Sequence, residues 1–180
     1  MPISVLVPIA PEFEELEAVA PIDLLRRAGA EVVLCALGPE RWVTGRSGIR
    51  LETDLPLAEV LARDFDCLFL PGGPGVKHLQ ADVRIGPLIR RQAQQGRWIA
   101  AICAAPILLQ EAGLLRGRRF TAHFSVAAAL PDRLAGERTV ADGRILTGRG
   151  AGTAIEFGLL LVNRLISEAK AAEVAAAVAA

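Results

Sequence analysis

The sequence predicts an α/β fold, a mostly parallel sheet layered between helices, and two observations carry that expectation. Five short, nearly continuous apolar runs read as strands covered on both faces: Ile3 to Ala10, Ala30 to Leu37, Phe65 to Leu70, Trp98 to Ile102 and Ile145 to Thr147. Segments of helical periodicity stand between them, and strands that alternate with helices make parallel sheets. With 180 residues and 52% hydrophobic content, one domain over 1–180 with a sizeable core is expected.

Pro11 closes the first run. From Phe13 to Ala28 apolar residues recur at helical spacing through Leu16, Val19, Ala20, Leu24 and Leu25, and Gly29 supplies the stop. Glu14, Glu15 and Glu17 fall in the first turns, where carboxylates complement the helix dipole. After the second strand, Gly45-Arg46-Ser47-Gly48 reads as a turn before a short strand through Leu51, and Leu57 to Arg63 as a short helix. The third strand ends in Pro71-Gly72-Gly73-Pro74-Gly75. Asp82 is an N-cap candidate for a helix through Gln95, stopped by Gly96, and a helix is expected from Ala104 to Glu111. Arg119 to Phe124 and Thr139 to Val140 suggest brief edge strands, with a turn at Asp142-Gly143. Thr153 is placed to cap a helix to Leu165, and the Ala-rich tail from Ser167 to Ala180 favours helix.

Twenty Lys and Arg balance twenty Asp and Glu, so no net field draws the protein to nucleic acid. Cys35, Cys67 and Cys103 form an odd, widely spaced set without a C-x-x-C pair. That suits neither a disulfide framework nor a zinc site, and it points to a reducing cytoplasm and no bound metal. The opening residues lack a basic n-region and a cleavage site, and the longest apolar stretches fall far short of the roughly 20 residues of a membrane helix. Neither G-x-G-x-x-G after the first strand nor G-x-x-x-x-G-K-[ST] occurs, which leaves nucleotide binding without support.

In open α/β sheets, ligands bind beyond the carboxyl ends of the strands. Four unusual stretches follow such ends: the segment around Glu17, the Pro71-Gly72-Gly73 turn, Cys103, and Gly148 to Gly152. Cys103 sits between a strand and small residues that open a helix, a nucleophile-elbow pattern in which backbone N–H groups favour a thiolate. Taken alone, the stretch equally suits a core cysteine. The Gly72-Gly73 turn and the N–H of Ala104 are candidate oxyanion donors, although two glycines also make an ordinary tight turn. Glu17, with apolar neighbours, is a candidate buried carboxyl that keeps its proton beside the thiol, or else a solvated residue next to Glu14 and Glu15. His123 is a candidate proton handler or a structural histidine. Cys35 and Cys67 lie within apolar strands and read as core.

Five segments together resemble the ThiJ/PfpI superfamily, in the branch of the Parkinsonism-associated protein deglycase and bacterial YajL. They are Glu14-Glu15-Leu16-Glu17, Leu70-Pro71-Gly72-Gly73, Ala100-Ala101-Ile102-Cys103-Ala104-Ala105-Pro106, Thr121-Ala122-His123, and Thr147-Gly148-Arg149-Gly150-Ala151-Gly152-Thr153. The resemblance spans essentially the whole chain. It implies a flavodoxin-like three-layer α/β/α sandwich, a homodimer, and a reactive cysteine hydrogen-bonded by a protonated glutamate. It carries the nucleophile onto Cys103, the glutamate onto Glu17, the histidine onto His123, the glycine N–H onto Gly73, and a pocket arginine onto Arg149. Asp23 and Arg27 match a segment near the dimer contact. The branch usually shows Cys-Ser-Arg where this chain has Gly45-Arg46-Ser47, so the arginine is displaced by one. Ala151 replaces a common proline. Ala104 stands where the protease-like branch has histidine, and Ala154-Ile155-Glu156 lacks the histidine of the amidotransferases.

The expectation is therefore a cofactor-free, cysteine-dependent enzyme of glyoxalase or deglycase type, lyase-like or hydrolase-like, acting on methylglyoxal-like carbonyls or their adducts in stress protection. The alternative is a redox-responsive stress sensor or chaperone in which Cys103 is oxidised to a sulfinate.

Overall fold

The computed structural model describes residues 1–180. β1 (Ser4–Ile9) leads into α1 (Glu15–Arg27), then β2 (Glu31–Ala36), a hairpin of β3 (Trp42–Thr44) and β4 (Arg50–Glu52), and β5 (Leu55–Pro56). α2 (Leu57–Val60), β6 (Cys67–Leu70), α3 (Val76–Ala81), α4 (Ile85–Gln94), β7 (Trp98–Ile102) and α5 (Pro106–Glu111) follow. β8 (Thr139–Asp142), β9 (Ile145–Gly148), α6 (Ala154–Leu165) and α7 (Glu168–Ala177) complete the chain.

Seven strands form one sheet in the order β5-β2-β1-β6-β7-β9-β8, and β3 with β4 makes a separate antiparallel ribbon. Only β8 runs antiparallel within the main sheet, pairing Thr139 with Gly148 and Asp142 with Ile145. The inner strands register Val5 with both Val32 and Cys67, Cys67 with Trp98, and Ile99 with Ile145. Read from β2 to β9, this is the flavodoxin-like order, whose switch point lies between β1 and β6. One apolar core fills the space under α1, α6 and α7 and contains Leu25, Phe69, Phe157 and Leu161; the other lies under α2 to α5 and contains Leu57, Leu68, Ile89 and Leu109. Helices cover both faces, which is why the parallel strands read as unbroken apolar runs.

α1 and α6 pack closely because Gly158 leaves room for them: a Cβ there would lie 2.6 Å from Leu24 Cδ1 and 3.0 Å from Pro21 Cα. Pro21 lies inside α1 and has no N–H to donate to the carbonyl of Glu17 four residues earlier.

Several expectations need correction. Arg119 to Phe124 is not a strand: it is irregular up to a short 3-10 turn over Phe124–Val126. β8 already occupies the outer edge of β9, so this segment satisfies its backbone elsewhere. The Arg119 N–H donates to the Asp142 carboxylate at 2.8 Å and the Thr121 N–H to Thr147 Oγ1 at 2.9 Å. Asp82 does not cap α4; its carboxylate binds the N–H and guanidinium of Arg84. α3, hidden in the Gly-rich stretch, precedes it. The helix expected over Leu57 to Arg63 shortens to α2, and that expected from Ala104 starts at Pro106. Thr153 stands at the N-cap of α6, but its hydroxyl donates back to the Gly150 carbonyl at 2.8 Å instead of capping.

Candidate active site

Three chain reversals meet at the carboxyl ends of β1, β6 and β7. The first is the elbow after β7. Cys103 takes a left-handed conformation, φ 65°, which costs an L-residue about 1–2 kcal/mol. Its backbone is fixed on both sides, the N–H donating to the Gly148 carbonyl at 2.9 Å and the carbonyl accepting from the His123 N–H at 2.8 Å. The Ala105 N–H then donates to the Ile102 carbonyl, and Pro106 opens α5, where a missing N–H does no harm.

The second reversal is the glycine turn after β6. A Cβ on Gly72 would overlap the Glu17 carboxyl and come within 2.6 Å of Cys103 Cβ. Only glycine lets these three residues meet. Gly73 has φ 94°, and its N–H and that of Ala104 act to lower the pKa of the Cys103 thiol. The Gly72 carbonyl accepts from the Glu14 N–H at 3.1 Å, tying the turn to the third reversal, the start of α1.

There Glu14 is the N-cap, its carboxylate accepting from the Glu17 N–H at 2.8 Å. Glu17 is 1% exposed, and its Oε2 has no conventional partner. Burial first, and then the Glu14 charge, raise its pKa to about 7, against the pull of the Cys103 thiol, the Ala151 N–H and the Arg46 charge. Near neutrality Glu17 therefore holds its proton at a group that can give it up. Burial, followed by the charge and acceptor oxygen of an ionised Glu17, pushes the Cys103 thiol up to about 12, while the Gly73 and Ala104 N–H groups pull it down. A proton on Glu17 cancels both Glu17 contributions, since a neutral carboxyl donates to sulfur instead of repelling it. The two groups thus titrate as a pair.

The His123 ring stands beside this pair without a hydrogen bond to either side chain. Its Nδ1 accepts from the Ser125 N–H at 3.2 Å and lies 2.9 Å from the Ser125 hydroxyl. Burial and the Arg46 charge lower its pKa, so the ring is neutral at pH 7. Arg149 does not reach the thiol. It lines an adjoining crevice of about 490 Å³ that also includes His123, Gly150 and Ala151. The structure therefore brings Glu17, Gly72, Gly73, Cys103 and Ala104 together, with His123 at the rim and Arg149 in the next compartment.

Two residues that the sequence did not place at the site, Glu15 and Arg46, join the picture. Glu15, 6% exposed, accepts from the Ser47 N–H at 2.7 Å. Burial alone would raise its pKa, but N–H groups of Ser47, Glu15 itself and Ile49 outweigh that and hold it low. Its carboxylate pins the turn that carries Arg46, whose charge both Glu17 and His123 feel. Gly45 was the available signal, because a Cβ there would overlap the Glu15 carboxyl. Cys35 and Cys67 are fully buried, and burial drives both thiols upward, Cys35 to about 12. No three His, Cys, Asp or Glu side chains converge to hold a metal ion, and no helix is long and apolar enough to cross a membrane.

Comparison with known proteins places most of the chain in one family. The model of the DJ-1/PfpI family matches residues 3–164. Protein DJ-1 homolog A of Arabidopsis thaliana is 39% identical over 171 residues, 93% of this chain and 44% of that protein; this chain thus spans less than half of that relative. The glutathione-independent glyoxalase DJR-1.2 of Caenorhabditis elegans is 34% identical, covering 90% of this chain and 88% of its own. Relatives also include a deglycase of Pyrococcus abyssi (33% identical; 66% of this chain, 71% of that one) and an isonitrile hydratase of Pseudomonas putida (32%; 87% and 69%). Among solved structures, Drosophila melanogaster DJ-1beta superposes with TM-score 0.95 at 36% identity over 99% of this chain and 98% of that one. Oxidized Toxoplasma gondii DJ-1 does so with 0.93 at 35% identity over 98% of each. The family model covers most of the chain and relatives above 30% identity span it, so the chain belongs to the DJ-1/PfpI family.

Proposed function

We propose that the protein is a cofactor-free enzyme of glyoxalase or deglycase type, with Cys103 as nucleophile and Glu17 as proton carrier. One observation carries the reading: a buried carboxyl poised at about pH 7 faces a thiol fixed on a left-handed elbow. Ionised Glu17 takes the thiol proton, and the sulfur adds to the aldehyde carbon of a methylglyoxal-like compound. The N–H groups of Gly73 and Ala104, which favour the thiolate, are the donors at hand for the oxyanion. Glu17 then moves the proton from the former aldehyde carbon to the neighbouring carbon, leaving a thioester that water hydrolyses to a 2-hydroxy acid. The substrate's own carbons exchange oxidation states, so no redox cofactor enters. Adducts of the same carbonyls on thiols or amines are substrates by the same addition.

The relatives named glyoxalase and deglycase support the reaction class. The test follows lactate formed from methylglyoxal by wild type, Cys103→Ser and Glu17→Gln. Loss of about a hundredfold or more in each variant is expected, and wild-type turnover no faster than either variant would sink the reading. Isonitrile hydration in place of lactate formation would reassign the site to the chemistry named for the Pseudomonas relative.

A second reading, a redox-responsive sensor or chaperone with Cys103 as a sulfinate, draws support from the oxidized Toxoplasma neighbour. Cys103 is also the one cysteine of three held by N–H donors at the site. Mass spectrometry after mild peroxide should place two oxygens on Cys103; oxidation at Cys35 would contradict it. With either reading goes a homodimer in a reducing cytoplasm. On α1 and α6, Leu16, Val19 and Ile155 stand 61%, 43% and 51% exposed, and a second copy is their proposed cover.

A further inference from the structure

The crevice next to Cys103 is basic, and the reaction above uses none of its arginines. Arg133, Arg138 and Arg149 line it with His123, Ala135 and Ala151, and no acidic side chain does. Arg138 is neutralised by Glu156 at 2.6 Å. Arg149 reaches only the Ala135 carbonyl, at 3.5 Å. Arg133 has a buried Nε with no acceptor at all. Leaving a buried charged donor unpaired is unfavourable, and guanidinium forks match carboxylate and phosphate oxygens in pairs. Two guanidiniums thus stand without counter-charge around a space large enough for a small ligand.

We infer that this crevice receives the anionic tail of the substrate, so that the preferred carbonyl is an α-oxoaldehyde bearing a carboxylate or a phosphate. The inference rests on Cys103 being the nucleophile proposed above. The two compartments adjoin: His123 lines the crevice while its N–H donates to the Cys103 carbonyl at 2.8 Å. Gly150 is shared as well, since a Cβ there would lie 3.2 Å from His123 Cδ2 and 3.7 Å from Glu17 Oε1. A tail lying over Gly150 therefore has its charge among the arginines and its carbonyls toward Cys103. For 4,5-dioxopentanoate the aldehyde carbon bonds to sulfur, gives up its hydrogen as a proton and ends as a carboxylate. The neighbouring ketone carbon gains a proton and becomes the alcohol. One water is consumed, the thiolate is released, and the product is 2-hydroxyglutarate.

The experiment compares kcat/KM for methylglyoxal, 4,5-dioxopentanoate, its methyl ester, and the phosphate ester of hydroxypyruvaldehyde. The acid should exceed its ester by about tenfold or more, through KM, as expected for one charge-assisted contact. Arg133→Ala should shrink that ratio severalfold, and Arg133→Lys should restore part of it. A phosphate ester faster than the acid assigns the crevice to phosphate; the reverse assigns it to carboxylate. Equal values for acid and ester overturn the inference even where methylglyoxal is turned over, which separates its failure from failure of the parent reading. A readout free of turnover is the alkylation of Cys103 by iodoacetate against iodoacetamide. The ratio of the two rates should fall in Arg133→Ala, and an unchanged ratio overturns the inference.

Discussion

Ionising Glu17 places a charge where the chain gives it little company, and the pH dependence of stability follows from that. The folded value of about 7 lies above the ordinary 4.5, so the folded state binds this proton more tightly than the unfolded chain. The stabilisation is whole below about pH 4.5 and is lost as pH rises through 7, a change of roughly 3 kcal/mol. Glu17→Gln should therefore unfold at higher urea than wild type at pH 8 and at nearly the same urea at pH 4, while losing turnover. The same advantage at both pH values would show that Glu17 does not titrate as described. Cys103 offers a second test at this scale. Because its φ of 65° suits glycine, Cys103→Gly should be more stable than Cys103→Ala by about 1 kcal/mol in denaturant titrations. Positions were partly legible in the sequence. Cys103 and the Gly72-Gly73 turn mark where the chain reverses after a strand, although each by itself also reads as core or as an ordinary turn. Arg133 does not, because nothing in Pro131-Asp132-Arg133 tells which backbone or cavity the side chain will meet.

Between elements, the tightest constraints lie where glycines let backbones approach. Gly72→Ala would drive a methyl into Glu17, Cys103 and the Ile102 carbonyl together. It should lower turnover at least tenfold and stability by about 1–3 kcal/mol, measured by lactate formation and urea unfolding. Gly158→Ala acts at a distance from the chemistry: the new methyl meets backbone of α1 at Pro21, so the helix pair must separate. The expected result is a lower Tm with a smaller effect on turnover. Strand positions were easy to read because each inner strand is buried on both faces. Arg119 to Phe124 misled because its apolar residues face the core without a ladder; Phe120 and Ala122 are buried, yet the N–H of Thr121 goes to a side chain. α3 and the start of α4 were obscured by Gly75 and by Asp82, whose carboxylate is committed to Arg84.

For the molecule as a whole, topology assembles the site. The β2-β1-β6-β7-β9 order puts the switch point between β1 and β6, and the neighbouring end of β7 delivers Cys103 to it. Alternating strands and helices gave the architecture away, but strand order, and with it which loops meet, depends on pairings that periodicity does not encode. The proposed second copy is testable at this scale. Leu16→Glu should convert a dimer into a monomer by analytical ultracentrifugation, and an unchanged sedimentation coefficient would remove α1 from the interface. α1 itself is one hydrogen bond short at the carbonyl of the residue that carries its acid, because Pro21 has no hydrogen to give. Pro21→Ala would supply that donor. A higher Tm is the expected outcome, so the turn that carries the acid is also where the helix forgoes stability.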